Sequence, residues 1–249
     1  MGTEWPKTRH NNNQQNEWER GKMGEKHFIL KSLVGSRGYG VHGETADYDY
    51  RGVYVLPTEH ILSLSHRYKG THWVEGKDCG VDDTAYEIGH FLHLASKCNP
   101  TILNTLKAPI VEADQWGKQL RELFPAFIDM KRCYDAFIGY GLNQRKKMLH
   151  NKDDRWQKYG AAYTRQLWYL TNLFKCGDYK FVITGTPFEQ QLYAIKKKQL
   201  TAGQIIDLCN QTKKGIDDII ENNGWPKSTA DPDKINTFLL KIRAAFWMR

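Results

Sequence analysis

The chain has 249 residues, 40% of them hydrophobic, and its 36 lysines and arginines exceed its 28 aspartates and glutamates to give a net charge of +8. This is enough for a real core in one or two domains, and the surplus of positive charge suits a polyanionic partner such as nucleic acid. No apolar run approaches the length of a membrane span and no signal-peptide core opens the chain, so a cytoplasmic protein without membrane partners is expected. Cys79, Cys98, Cys133, Cys176 and Cys209 are scattered without a C-x-x-C pair, which argues against a zinc knuckle or a disulfide framework and for reduced, mostly buried thiols.

Residues 1–25 form a polar, asparagine-rich segment in which Trp5 and Trp18 stand out, expected to be loosely ordered or to hold one short helix. The chain is organised around residues 28–55. The apolar run Phe28-Ile29-Leu30-Lys31-Ser32-Leu33-Val34 stops at Gly35-Ser36, a glycine-rich loop intervenes, and Asp47-Tyr48-Asp49-Tyr50-Arg51-Gly52-Val53-Tyr54-Val55 resumes as an alternating, aromatic and β-branched segment. This pattern predicts strand, turn, strand. Alternation puts Asp47 and Asp49 on one side and Tyr48 and Tyr50 on the other. Two anions so close repel unless a cation lies between them, and hard oxygen ligands suit magnesium held jointly with substrate phosphates. Gly35 lets backbone approach a phosphate, whose oxygens free N–H groups and the Ser36 hydroxyl can hold.

Gly38-Tyr39-Gly40-Val41-His42-Gly43 matches the dinucleotide fingerprint, but that fingerprint opens a helix, and Glu44 to Val55 alternates like a strand. No Gly-Lys-Ser/Thr occurs, which excludes a Walker-type phosphate loop. Gly35-Ser36 followed by Asp47-x-Asp49 resembles the nucleotidyltransferase superfamily of DNA polymerase β, CCA-adding enzymes and the minimal nucleotidyltransferases. The longer string, Gly35-Ser36-Arg37-x-Tyr39-Gly40 with Asp47-Tyr48-Asp49-Tyr50-Arg51-Gly52-Val53, resembles the predicted nucleotidyltransferases associated with bacterial and phage RNA repair.

Beyond Leu56-Pro57, a short patch from Ile61 to Leu64 reads as a helical turn or a strand, and His72-Trp73-Val74 with Val81 to Tyr86 brackets a turn to make another hairpin. The resemblance implies a third carboxylate on this hairpin. Asp82 and Asp83 are the candidates; the family's placement of an acid four residues before a tyrosine selects Asp82, while Asp83 suits the cap of the next helix. Tyr86 to Lys97 carries helical spacing, Asn99-Pro100 breaks it, and Thr101 to Leu106 restarts it. His90-x-x-His93 lacks a third ligand at a telling spacing and is expected to be packing or surface histidine.

From Asp114 onward helical periodicity takes over, across 116–124, 126–149, 156–174, 188–195, 201–220 and 232–248. Thr201-x-x-Gln204 reads as a capping box and Asp231-Pro232 as a cap before a first-turn proline. Arg145-Lys146-Lys147, Lys152, Arg155 and Lys158 cluster with Trp156 and Tyr159, whereas Lys196-Lys197-Lys198 reads as a solvated basic face. Lys158-Tyr159-Gly160-Ala161-Ala162-Tyr163-Thr164-Arg165 resembles the helix after the family's catalytic domain, with Tyr163 where histidine is usual.

The expected architecture is therefore α+β: residues 26–110 a small mixed-sheet, polymerase β-like nucleotidyltransferase domain, and 111–249 a helical domain. The resemblance implies Asp47, Asp49 and Asp82 as catalytic ligands of two Mg²⁺, with Mn²⁺ possible. It also implies Gly35, Ser36, Arg37, Lys158 and Arg165 as contacts to an NTP, ATP by default, with an RNA 3′ end as acceptor. AMP transfer to a protein hydroxyl, as in toxin systems, and a non-catalytic nucleotide or RNA-binding module stay open at this point. Oligomeric state is not legible in the sequence.

Overall fold

The computed structural model describes residues 26–64, 70–76, 81–150 and 155–247, without the side chains of 72–76 and 81–82. Residues 1–25, Cys79, Lys152 and the Asp82 side chain thus lie outside the described residues.

β1 (His27–Val34) buries Ile29, Leu30, Ser32 and Val34, and the glycine turn at its end makes one short helical turn, α1 (Gly35–Gly38). β2 (Tyr48–Val55) runs back antiparallel beside β1, with Val34 opposite Asp49. After the helical turn α2 (Thr58–Leu62), the second hairpin forms as expected: β3 (Thr71–Gly76) pairs antiparallel with β4 (Val81–Glu87). β4 lies parallel to β2, so the sheet is mixed. A strand that the sequence reading missed, β5 (Ile110–Ala113), adds to the other edge of β1 and completes the order β3-β4-β2-β1-β5. The point between 110 and 111 falls inside this strand.

α3 (Ile88–Ser96) and α4 (Pro100–Lys107) pack on the sheet through Ile88, Phe91, Ile102 and Leu103. Asn99 caps α4 by accepting from the Thr101 amide at 2.9 Å, with Pro100 in the first turn where a missing N–H costs nothing. The cap of α3 is Glu87, which accepts from Gly89 N at 2.7 Å. Asp83 lies four residues upstream in mid-strand, which corrects its expected role as the cap: β4 runs one residue past Tyr86, so the helix begins later than periodicity alone suggests.

The rest is helical: α5 (Gln115–Glu122), a 3-10 turn (Phe124–Phe127), α6 (Met130–His150), α7 (Trp156–Cys176), α8 (Phe188–Lys196), α9 (Ala202–Asn223) and α10 (Pro232–Ala245). Thr201 and Gln204 form the expected capping box, and Asp231 caps α10 by accepting from Lys234 N at 2.9 Å. One continuous core joins both halves, from Ile29 and Val53 on the sheet through Phe91 and Leu103 to Phe137, Tyr169 and Leu170 on α6 and α7, then Ile205 and Ile216 on α9. Each such large side chain contributes about 1.5–3 kcal/mol through burial.

α10 returns to the sheet domain. Arg243 grips Glu87 with both terminal nitrogens, Nη1 to Oε1 at 2.7 Å and Nη2 to Oε2 at 2.8 Å. Thr58 donates its amide to Phe246 O and its hydroxyl to Arg243 O, both at 2.7 Å.

Candidate active site

The site begins where β1 ends. Gly35 has φ +62°, and a Cβ built on it would overlap the Asp49 carboxylate. Glycine is required twice over, for its left-handed backbone and for the close approach of that backbone to an acid. The turn is closed by Tyr39 N donating to Gly35 O at 3.2 Å and Val41 N to Ser36 O at 3.0 Å. The amides of the first turn of a helix have no acceptor within the helix, so this turn presents N–H donors beside a carboxylate.

β2 begins at Tyr48, so Asp47 sits on the loop just ahead of it, exposed, while Asp49 is half-buried within the strand. Tyr48 and Tyr50 stack at 6.1 Å between centroids, as their shared parity demands. Arg37 turns away: its Nε donates to Ala46 O at 2.8 Å, its Nη2 to Glu44 O at 3.1 Å, and its guanidinium lies 4.2 Å from the Tyr48 ring. It pins the loop that carries Asp47. In the parallel register of β2 and β4, backbone position 82 is opposite Asp49 and Asp83 is opposite Tyr50. Asp83 is buried and pairs with Lys31 at 3.6 Å, whose ammonium lies 4.4 Å from the Tyr50 ring. Burial, then the neighbouring Tyr48 and Asp83, pushes the Tyr50 hydroxyl pKa up. Among the described residues no three acidic, histidine or cysteine side chains come together as a metal site, a set to which the Asp82 side chain does not belong.

A cleft of about 250 Å³ opens between the sheet and α7, and Gly35, Asp49, Lys158 and Arg165 all line it. Ser36 and Arg37 do not. The cleft also holds residues to which the sequence reading gave no role: Arg51, Thr84, Asn104, Tyr140, Gln166 and Phe181. Arg51 is two residues past Asp49 on the same strand, and parity was its available signal. It donates to Thr101 O at 3.0 Å and Thr105 Oγ1 at 3.4 Å. Burial pulls its pKa down, against the opposing influence of Tyr86, Tyr140 and Asp49, and Arg165 adds a smaller push in the direction of burial. Arg165 stacks 4.2 Å from the Tyr39 ring. Phe181 belongs to the connection between α7 and α8, where Ile183 N donates to Tyr39 O at 2.9 Å and Tyr179 donates its hydroxyl to Asn104 Oδ1 at 2.7 Å. The alternation Tyr179-x-Phe181-x-Ile183, all three buried, was the legible trace of this extended segment.

Away from the cleft lining, Lys196 is half-buried, donates to Val41 O and lies 5.5 Å from the Tyr39 ring, so this member of the Lys196-Lys197-Lys198 run is not a solvated face but a tie to the glycine loop. Tyr163 is buried against Gly141 rather than lining the cleft. Lys146 and Lys147 are exposed on the last turns of α6, and Arg145 is half-buried beside them. His90 stacks on Tyr86 at 6.1 Å, a packing role. Cys98, Cys133 and Cys209 are buried thiols and Cys176 is exposed.

Comparison with known proteins gives one family. Residues 10–167, more than half of the chain, match the model of the RNA repair pathway DNA polymerase beta family. Among solved structures, a nucleotidyltransferase-like protein from Exiguobacterium sibiricum 255-15 is similar at 11% identity with a TM-score of 0.30, over 94% of this chain and 78% of that one. No curated protein matches. Among the described residues no helix is long and apolar enough to cross a membrane.

Proposed function

This chain belongs to the RNA repair pathway DNA polymerase beta family, a family of nucleotidyltransferases, and we propose that it transfers a nucleoside monophosphate from an NTP, ATP by default, to the hydroxyl at an RNA 3′ end. The observation that carries the reading is the glycine turn pressed on the Asp49 carboxylate at the mouth of a cleft lined by Lys158 and Arg165.

The donor set is hard oxygen, and the Asp49 carboxylate held against amide donors fits a divalent ion shared with phosphate. Asp47, Asp49 and Asp82 would hold two Mg²⁺ or, with similar ligands, Mn²⁺, which when bound neutralise charge on the reacting phosphate and favour the attacking oxygen. The backbone supports Asp82 over Asp83: position 82 shares strand parity with Thr84, which lines the cleft, whereas Asp83 is committed to Lys31. The chain's own residues do the positioning. The Gly35 and Ser36 amides take phosphate oxygens, Lys158 and Arg165 neutralise the triphosphate tail, and Arg37 fixes the loop bearing Asp47. The acceptor oxygen attacks the α-phosphorus and pyrophosphate leaves.

The basic end of α6, with Arg155 and Lys158 near the start of α7, supports RNA as the acceptor. Incubation with Mg²⁺, each labelled triphosphate and a cellular RNA pool tests the transfer. Replacing Arg145, Lys146 and Lys147 with alanine should weaken RNA binding across sequences and flatten its log–log salt slope by roughly 0.7–0.9 per lost phosphate contact, with triphosphate binding nearly unchanged. RNA labelling undiminished in that variant at physiological salt would favour a protein hydroxyl as acceptor.

A further inference from the structure

A second cavity, of about 390 Å³, lies among the helices, between α7, α8 and α9. It meets a different face of α7 from the one that carries Lys158 and Arg165, although Thr164, which lines it, precedes Arg165 directly in the chain. α9 contributes positions 208, 211, 212 and 215, the spacing of one helical stripe. Where three helices meet, such a stripe ordinarily carries large apolar side chains that close the gap. Here it ends in Gly215, in the interior of α9, where glycine is among the least favourable residues. No neighbour demands that glycine. A Cβ there would meet nothing within 4 Å, so the missing side chain keeps space open at the cavity.

The walls have a definite chemistry. Trp168 and Phe188 stack with centroids 5.2 Å and planes 10° apart, and Leu208 adds apolar surface. The hydroxyls of Thr164, Thr171 and Thr212 each donate to the carbonyl four residues back at 2.8 Å, so their donors are spent within the helices. The polar groups left over are the amides of Gln191 and Gln211 and the ammonium of Lys175, none of which has a hydrogen bond or ion pair among the described residues. No acidic side chain among the described residues lines the cavity, and the exposed Lys214 adjoins Gly215 in the chain. Flat aromatic surface, amides that both donate and accept, and cations without acids match an unstacked nucleobase and its phosphate.

We propose that this cavity binds one unstacked base of the single-stranded RNA acceptor, outside the catalytic cleft. The inference rests on RNA as the acceptor and gives the strand a grip away from the reacting atoms. The base extends the stack of Trp168 and Phe188, Gln191 and Gln211 hold its edge, and Lys175 holds its phosphate. A duplex keeps its bases paired and stacked, so the site selects single strands.

The test is titration of the full chain, in EDTA and without triphosphate, with short fluorescein-labelled RNA homopolymers of A, C and U, with RNA duplex of the same length, and with free nucleoside monophosphates. Gly215→Leu fills the cavity and should weaken single-strand binding about 5- to 150-fold, the worth of one stacked base. It should melt no lower than wild type, because leucine is the better helix former, and it should bind Mg-ATP as wild type does. Lys175→Ala should weaken single-strand binding less and flatten its log–log salt slope by about 0.7. Wild type should prefer single strand to duplex, and Gly215→Leu should lose that preference. The cavity assignment is overturned if wild type shows no such preference, or if folded Gly215→Leu binds the strand as wild type does. Nucleoside monophosphates that bind as tightly as the strand, in a manner sensitive to Gly215→Leu, would overturn it in favour of a free-nucleotide site. Transfer to RNA with strand binding indifferent to Gly215→Leu would sink the cavity and leave the enzyme reading standing. Strand binding that Gly215→Leu abolishes, in a chain that transfers no nucleotide, would do the reverse.

Discussion

Two half-buried arginine sites in this molecule are built on opposite rules. Arg243 meets Glu87 in a two-point ion pair whose carboxylate is fully buried and also caps α3, so the charge is matched and α10 is fastened to the sheet domain. Arg51 and Arg165 instead line a cleft, where Arg51 donates to the Thr101 carbonyl and the Thr105 hydroxyl and Arg165 lies over the Tyr39 ring, and among the described residues neither enters an ion pair. The first pair fastens a helix to the sheet, and the second faces the space proposed above for the triphosphate tail. The same residue type thus serves scaffold where a buried carboxylate meets it in a closed pair, and remains available to a ligand where it opens on a cleft.

The sharpest way to break that comparison is at the acids. Asp49→Asn should abolish transfer, a loss of orders of magnitude, with the melting temperature of the free protein unchanged or raised, because it removes an acid pressed on a turn. Asp82→Ala should show the same pattern. Asp83→Ala should instead cost stability, about 1–3 kcal/mol, by removing the carboxylate that pairs with the half-buried Lys31, while sparing the rate. Steady-state rates and melting curves of the three variants side by side check this; a slow but stable Asp83→Ala with an active Asp82→Ala would move the third ligand by one residue.

Next in size is Arg243→Ala, expected to destabilise the chain by about 3–5 kcal/mol because it strands the buried Glu87 carboxylate. Replacing both partners with apolar residues of similar volume should recover most of that loss. Denaturant unfolding of both singles and the double measures it. If Arg243→Ala were as mild as a surface change, the contrast between matched and unmatched charge would not hold.

Much of this was legible in the chain. The break at Gly35, the alternation through Tyr48 to Val55 and the helical stripes of the second half are local signals, and the corresponding elements formed with boundaries shifted by a few residues. The second hairpin and the capping box at Thr201 were also local. What could not be read depends on tertiary contact. β5 is four residues long and exists because Ile110 to Ala113 finds an open edge on β1. Arg51 shares the strand parity of Asp49, but its contacts to Thr101 and Thr105 are tertiary, and Glu87 became a cap because β4 extends past Tyr86. Lys196 looked solvated within a run of three lysines, yet the loop around Val41 folds back to meet it. Arg37 sits in the motif beside Ser36, but its guanidinium is used on the backbone of residues 44 and 46.

The smallest expected effect tests whether the scaffold and the cleft are separable at all. Thr201 Oγ1 accepts from Gln204 N at 3.2 Å while Gln204 Oε1 accepts from Thr201 N at 2.8 Å, so Thr201→Ala removes one arm of the box that starts α9. The cost should be about 1 kcal/mol, or roughly 2–4 °C in melting temperature for a chain of this size. α9 touches α7 through Ile205, which lies so close to Gly160 that even a methyl group there would be tight, and Gly160 is two residues from Lys158 and five from Arg165. If the cleft depends only on the rigidity of α7 itself, transfer well below the melting temperature should be unaffected in both kcat and KM. A rise in KM for the triphosphate at unchanged kcat would instead mean that the first turn of α9, through Ile205 and Gly160, positions the cations of α7, and the boundary between the stable region and the reactive one would have to be drawn further from the cleft.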